Sequence, residues 1–159
     1  GARWLLHEPE KHAAAASLRD ARAEAEEAGD EELVAHYDRE LALLPGDYAP
    51  PHGRLLLAYH QEKPVGCVAL RRIDATSGEI KRLYVRPQAR GRRTGRRLVE
   101  QVILAGRQIG YRRLLLDTLP QMPEARALYG CFGFRAIPGY HANPLPGVIY
   151  LALDLAPAA

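Results

Sequence analysis

Cysteine is scarce in this chain: Cys67 and Cys131 are the two among 159 residues, and no C-x-x-C pair links them. A disulfide scaffold or a zinc knuckle therefore has no support, and a reducing compartment fits best. The six histidines show no H-x-x-x-H spacing and no His/Asp clustering along the chain, so no metal site is expected. No apolar run approaches the roughly 18 residues that cross a bilayer, and the first residues lack a secretory apolar region. The expectation is a soluble, cytoplasmic protein without membrane contact. Net charge is also small, at +3. A domain that works mainly by neutralising phosphates usually carries more, so the basic character has to be local. No internal repeat or linker is visible, and the length suits a single domain over residues 1–159.

What is present is well punctuated. "RWLLH" reads as a short first strand, and the alanine-rich segment Ala13 to Ala28 as a helix closed by Gly29. Asp30 is placed to cap a second helix, where Leu33, Val34, Tyr37, Leu41 and Leu44 share one face until Pro45 stops it. "PGDYAPPHG" holds three prolines and two glycines and predicts a loop without regular structure. "RLLLAYH" and "VGCVALRRI", joined at "QEKP", read as an antiparallel hairpin, and "GEIKRLYV" as the following strand, ended by Pro87. From Thr94 the apolar period lengthens: Leu98, Val99, Val102, Ile103, Gly106 and Ile109 mark one face of a helix that closes at Gly110. "RRLLLDTL" is the kind of apolar run expected of a strand covered on both faces. Strand, helix, buried strand is a crossover unit, so these two strands are expected to be parallel. A helix in "MPEARALYGCF", a strand in "FRAI", the loop "PGYHANPLPG" and a last strand in "VIYLALDL" complete the chain.

The stretch "VRPQARGRRTGRRL", Val85 to Leu98, packs six arginines and two glycines into fourteen residues. Gly91 and Gly95 bracket a turn from a strand into a helix. The first backbone N–H groups of that helix have no internal partner and carry the positive end of its dipole, which suits a phosphate. On charge alone, a solvated helix face is the simpler reading. A nucleic-acid grip over Arg86 to Arg97 is another, although Tyr84 is the nearby aromatic residue on which a base would have to stack.

The same stretch resembles the acetyl-CoA signature of the GNAT superfamily of N-acetyltransferases, which ends a strand in V-x-P and continues Arg/Gln-x-x-Gly-x-Gly/Ala. Arg90 and Gly95 match, whereas the first motif glycine falls on Arg93, a departure that matters if position 93 needs a positive φ. "ARALYGCFGF" resembles the second block of that family, A-x-x-L-Y-x-x-x-G-F, through Ala125, Leu128, Tyr129, Gly133 and Phe134. An asparagine often found seven residues before the tyrosine is replaced by Met122. The resemblance spans Val65 to Ile137.

It implies an α/β (α+β) fold with a mixed, mostly antiparallel central sheet of about six or seven strands, about four flanking helices and one splayed parallel pair. It also implies acetyl-CoA as cofactor, with CoA as product, and transfer of the acetyl group to a primary amine by direct attack in a ternary complex. Carried over residue by residue, the backbone of Leu83, Tyr84 and Val85 would hold the pantetheine arm. Arg90, Gly91, Arg92, Arg93, Thr94, Gly95 and Arg96 would hold the pyrophosphate. Tyr129 would be the general acid and Glu79 the general base, against plain readings in which Tyr129 packs a helix and Glu79 pairs with Lys81 or Arg82. Lys81, Arg82, Asp117, His141 and Asn143 are candidate contacts to a small-molecule or peptide amine, and Lys81, Arg82 and Arg54 would suit an acceptor that carries a carboxylate. A homodimer is compatible with the resemblance. The competing functions are an acyl-CoA-binding protein without catalysis and the nucleic-acid module already named.

Overall fold

The structure, a computed structural model, describes residues 2–4, 8–120, 123–141 and 147–155. Seven strands form one sheet: β1 (Ala2–Trp4), β2 (Arg54–His60), β3 (Lys63–Arg72), β4 (Ser77–Val85), β5 (Arg113–Thr118), β6 (Arg135–Ile137) and β7 (Ile149–Asp154). Their spatial order is β1-β2-β3-β4-β5-β7-β6. Every neighbouring pair is antiparallel except β4 and β5, which are parallel. The crossover between those two is a helix, as the change of period predicts.

Four helices flank the sheet: α1 (Glu8–Glu27), α2 (Glu31–Leu43), α3 (Thr94–Ile109) and α4 (Pro123–Cys131). Expected boundaries hold closely for β2 and α3. Helix α1 starts earlier than Ala13, since Pro9 falls in its first turn, where a missing N–H costs nothing. Strand β3 begins at Lys63 and runs through Pro64, next to a register shift at Ala58/Tyr59 that already interrupts the ladder. The proline-rich loop before β2 contains one 3-10 turn, Gly46–Tyr48, which buries the Tyr48 ring.

The two faces of the sheet differ in what covers them. On one face α3 and α4 pack Leu98, Val99, Val102 and Tyr129 onto Leu56, Val68, Ile80 and Leu114. Helix α3 comes close because residue 106 is glycine: a Cβ there would stand 2.9 Å from Leu114 Cδ2. On the other face α1, α2 and the 3-10 turn cover a smaller cluster that includes Leu18, Tyr48, Leu55, Leu57, Cys67 and Ala69. No described helix is long and apolar enough to cross a membrane.

Candidate active site

Strand β4 ends at Val85, a 3-10 turn follows at Pro87–Ala89, and the chain reverses through Gly91 at φ +82° before entering α3. Arg93, the residue just before α3, sits in the left-handed region at φ +60°. The position where the resemblance calls for glycine is thus one where glycine would be unstrained, and arginine occupies it nonetheless. Arg93 makes no side-chain cap, and the first turn of α3 holds no acidic residue, so its leading N–H groups are left to water or a ligand. Gly95 faces α4 and the end of β4; a Cβ there would meet Leu128 Cδ2 at 3.6 Å and Val85 Cγ2 at 3.8 Å. Those are ordinary contacts, and packing within the chain does not demand a glycine at 95.

The six arginines fall into two sets. Arg86 pairs with Asp20, Arg90 with Glu24 at 2.9 Å, and Arg96 with Glu100 at 3.4 Å. Arg92, Arg93 and Arg97 meet no carboxylate among the described residues; Arg92 instead lies 3.1 Å from His60 Nε2. Half of the local charge is neutralised by helix α1 and by α3 itself.

Beside this loop the two parallel strands part. β4 and β5 pair from Ser77↔Arg113 to Glu79↔Leu115, while β4 continues to Val85 and β5 to Thr118. Arg86 N–H bonds Val65 O of β3. By alternation, the N–H and C=O groups of Leu83 and Val85 then turn away from β3, into the gap, where the Val85 carbonyl accepts Arg90 Nε at 3.0 Å. Tyr84 points the other way, its hydroxyl 3.0 Å from Glu24 and its ring 5.7 Å from the Arg90 guanidinium.

Tyr129 on α4 is buried and packs against Phe134 with ring centroids 5.5 Å apart. Burial, and after it the Asp117 carboxylate, raise its hydroxyl above the ordinary tyrosine range. At neutral pH it carries its proton.

Glu79 is 1% exposed, on the α1/α2 side of β4. Arg71 Nε donates to Oε1 at 2.8 Å, Lys81 Nζ lies 3.6 Å from the same oxygen, and the Tyr140 hydroxyl donates to Oε2 at 2.6 Å. His141 Nε2 stands 3.4 Å from Glu79 Oε2 and 3.1 Å from Asp117 Oδ2. Burial alone would raise the Glu79 carboxyl, but Lys81, the Tyr140 hydrogen bond and Arg71 together hold it below its ordinary value. Tyr140, His141 and Tyr150 stack edge-on around it, with centroids 4.7 to 5.5 Å apart. The absence of His/Asp clustering along the chain does not carry over to the fold. Ligand atoms of Glu79, Asp117 and His141 lie within 4.8 Å of one another, joined across strands and a loop that sequence spacing does not relate. Two cations already sit on Glu79, which opposes a third.

The other candidates are dispersed. Arg82 is engaged by Glu40 of α2, and Arg54 donates to the carbonyls of Gly53 and Pro51. The charge of Arg82 is thereby claimed by Glu40, whereas Arg54 is held by neutral carbonyls. Asn143 and Met122 lie outside the described residues. Sequence reasoning missed Glu40, Arg71, Tyr140 and Tyr150. Tyr140 had a signal, as the residue before the candidate acceptor contact His141; Glu40 and Arg71 had none.

Comparison with known proteins places the chain in a family. Residues 14–134 match the Acetyltransferase (GNAT) family. An uncharacterized N-acetyltransferase of Schizosaccharomyces pombe is 38% identical over 132 residues, covering 82% of this chain and 81% of that protein. An acetyltransferase structure from Streptococcus agalactiae superposes with a TM-score of 0.80 at 23% identity, over 98% of both chains. A GNAT family acetyltransferase from Elizabethkingia anophelis with acetyl-CoA bound superposes with a TM-score of 0.58 at 24% identity, over 79% of this chain and 83% of that one. With its parallel strands parted beside an uncapped helix terminus, this chain belongs to the GNAT family of N-acetyltransferases, which are acyl-transferring enzymes.

Proposed function

We propose that this chain forms a single acetyltransferase domain that moves an acetyl group from acetyl-CoA to a primary amine in a ternary complex, with no covalent enzyme intermediate. The observation that carries this reading is the gap between β4 and β5, lined by backbone groups of Leu83 and Val85 and leading to the free N-terminus of α3. A slender amide-bearing arm fits the first and a pyrophosphate the second, so the residues present suit acetyl-CoA. When bound, it supplies the acyl group as an activated thioester.

The chain's own residues supply positions and protons. The N–H groups of Thr94, Gly95 and Arg96 hold the phosphates, with Arg92, Arg93 and Arg97 adding a screened attraction. Tyr129 gives its proton to the departing sulfur; a thiol has a pKa of about 8.5, so the hydroxyl needs to act only as the bond breaks. An alkylammonium of pKa about 10.4 costs roughly 4–5 kcal/mol to deprotonate at pH 7, so an acceptor of that proton is useful. Glu79 takes that role through water. His141 and Asp117, more exposed than Glu79, form the outer side of the cluster that an amine meets first.

The test combines binding and turnover. At a hundredfold excess over Kd, acetyl-CoA stabilises the native state by about 2.7 kcal/mol, a Tm rise of about 5–10 °C for a chain of this size. Thiol release should then appear with members of an amine panel. An unmoved Tm would overturn the reading; a raised Tm without thiol release from any amine would favour a CoA-binding protein without catalysis.

A further inference from the structure

Arg82 lies inside strand β4, yet its φ is +61°. Few non-glycine residues adopt this conformation, and each pays roughly 1–2 kcal/mol for it. The register shows why it is there: Ala69 faces Lys81 and Cys67 faces Tyr84, so two steps along β3 match three along β4. One extra residue is inserted as a β-bulge.

The insertion changes what β4 presents. Before it, Glu79 points to the α1/α2 side. After it, Leu83 and Val85 pack with the α3 core and Tyr84 with the opposite cluster. In an uninterrupted register Leu83 would face Cys67, and every residue from 83 onward would exchange faces. The backbone that lines the gap therefore owes its orientation to the conformation of Arg82.

That conformation is held from outside the strand. Arg82 Nη2 donates to Glu40 Oε1 at 2.9 Å and Nε donates to Oε2, a two-pronged pair whose side chains are 11% and 18% exposed. Glu40 also accepts the Tyr48 hydroxyl at 2.7 Å. The Arg82 guanidinium lies 4.9 Å from the centre of the Tyr37 ring, and the Cys67 thiol donates to Arg82 O at 3.3 Å. Helix α2, the 3-10 turn and β3 converge on one residue.

We propose that Glu40 is a positioning residue for acetyl transfer: by gripping Arg82 it fixes the bulge, and through the bulge the Leu83 and Val85 backbone that holds the thioester arm. This rests on the acetyltransferase reading and moves Arg82 from acceptor binding to architecture.

Four proteins decide it: the parent, Glu40→Gln, Arg82→Ala and Arg82→Gly, each checked for folding by circular dichroism. Glu40→Gln should lower kcat about 10- to 100-fold and weaken acetyl-CoA binding, with acceptor KM unchanged. Arg82→Ala should do the same. Arg82→Gly, which takes a positive φ without strain, should recover most of the lost kcat and melt about 2–6 °C above Arg82→Ala. That rescue by glycine is what an ordinary structural ion pair would not produce. Unchanged kcat and acetyl-CoA affinity in Glu40→Gln would overturn the proposal. So would equal Gly and Ala variants with raised acceptor KM, which would return Arg82 to acceptor binding. A parent protein that binds no CoA would instead overturn the acetyltransferase reading, and the positioning role with it.

Discussion

The two faces of the sheet are built on different principles. The α3/α4 face is an apolar core in which Leu98, Val99 and Val102 reach zero exposure and hold the helix by burial alone. The α1/α2 face has a small apolar patch and, around it, a lattice of paired charges: Glu40 with Arg82, Glu79 with Arg71 and Lys81, Asp20 with Arg86, Glu24 with Arg90. Burial is non-directional and tolerates substitution, whereas charges taken out of water are held only by correctly placed partners. The first face holds by area, and the second by the placement of each partner along β4.

Tyr129→Phe offers the largest expected effect and the sharpest exception to that division, because Tyr129 is a chemical group set in the apolar face. Loss of its proton should reduce kcat about 10²- to 10⁴-fold with acetyl-CoA affinity little changed. Near-parental kcat, measured where chemistry limits turnover, would make the apolar face purely structural.

Glu79→Gln probes the charged face. It keeps the shape but leaves Arg71 and Lys81 without a counter-charge, and should cost about 1–3 kcal/mol; a fully buried pair would cost more, but Arg71 remains 33% exposed. Both Glu79 and Glu40 have folded-state values held below the ordinary 4.5. Their contribution is therefore complete above that value and is lost as pH falls below it toward the depressed values. Urea unfolding between pH 7 and pH 3 should show a steep acid loss in the parent and a shallower one in Glu79→Gln. Identical pH profiles would remove the charged face from the stability of the fold.

The smallest effect is expected of Glu24→Gln. Its pair with Arg90 is about half exposed on both sides and contributes little to stability. Removing the counter-charge of Arg90, whose Nε stays on the Val85 carbonyl, should tighten acetyl-CoA binding by a factor of about 2 to 5 in dilute buffer and by nothing in molar salt. Calorimetric titration at the two salt concentrations checks it.

The same division governs what could be read from the sequence. The boundaries of β2 and α3 follow from apolar period and from Pro and Gly punctuation, which are local properties. The parallel pairing of β4 and β5 follows from the crossover rule, and the reversal through Gly91 into α3 from its strand–glycine–helix order. The charged face was opaque, since its pairs are distant in sequence: Glu40 and Arg82 are 42 residues apart, Tyr140 and Glu79 61. A left-handed arginine inside a strand leaves no compositional trace either; glycine or asparagine at position 82 would have marked the bulge. Glu79 was visible as a candidate, and its pairing with Lys81, two residues along the same strand face, was foreseen; Arg71 was not, because strand pairing rather than spacing sets it opposite Glu79.

The parting of β4 from β5 also bears on how this protein avoids its own kind. A row of unpaired strand amides is normally a sheet edge, and an exposed edge invites other chains to add to it, the first step toward aggregation. Here the row lies in the middle of seven strands, with β5 on its flank and helices over both faces of the sheet. The fold thus keeps a stretch of adhesive strand backbone inside the sheet, away from the two outer edges at β1 and β6 where a neighbouring chain would add.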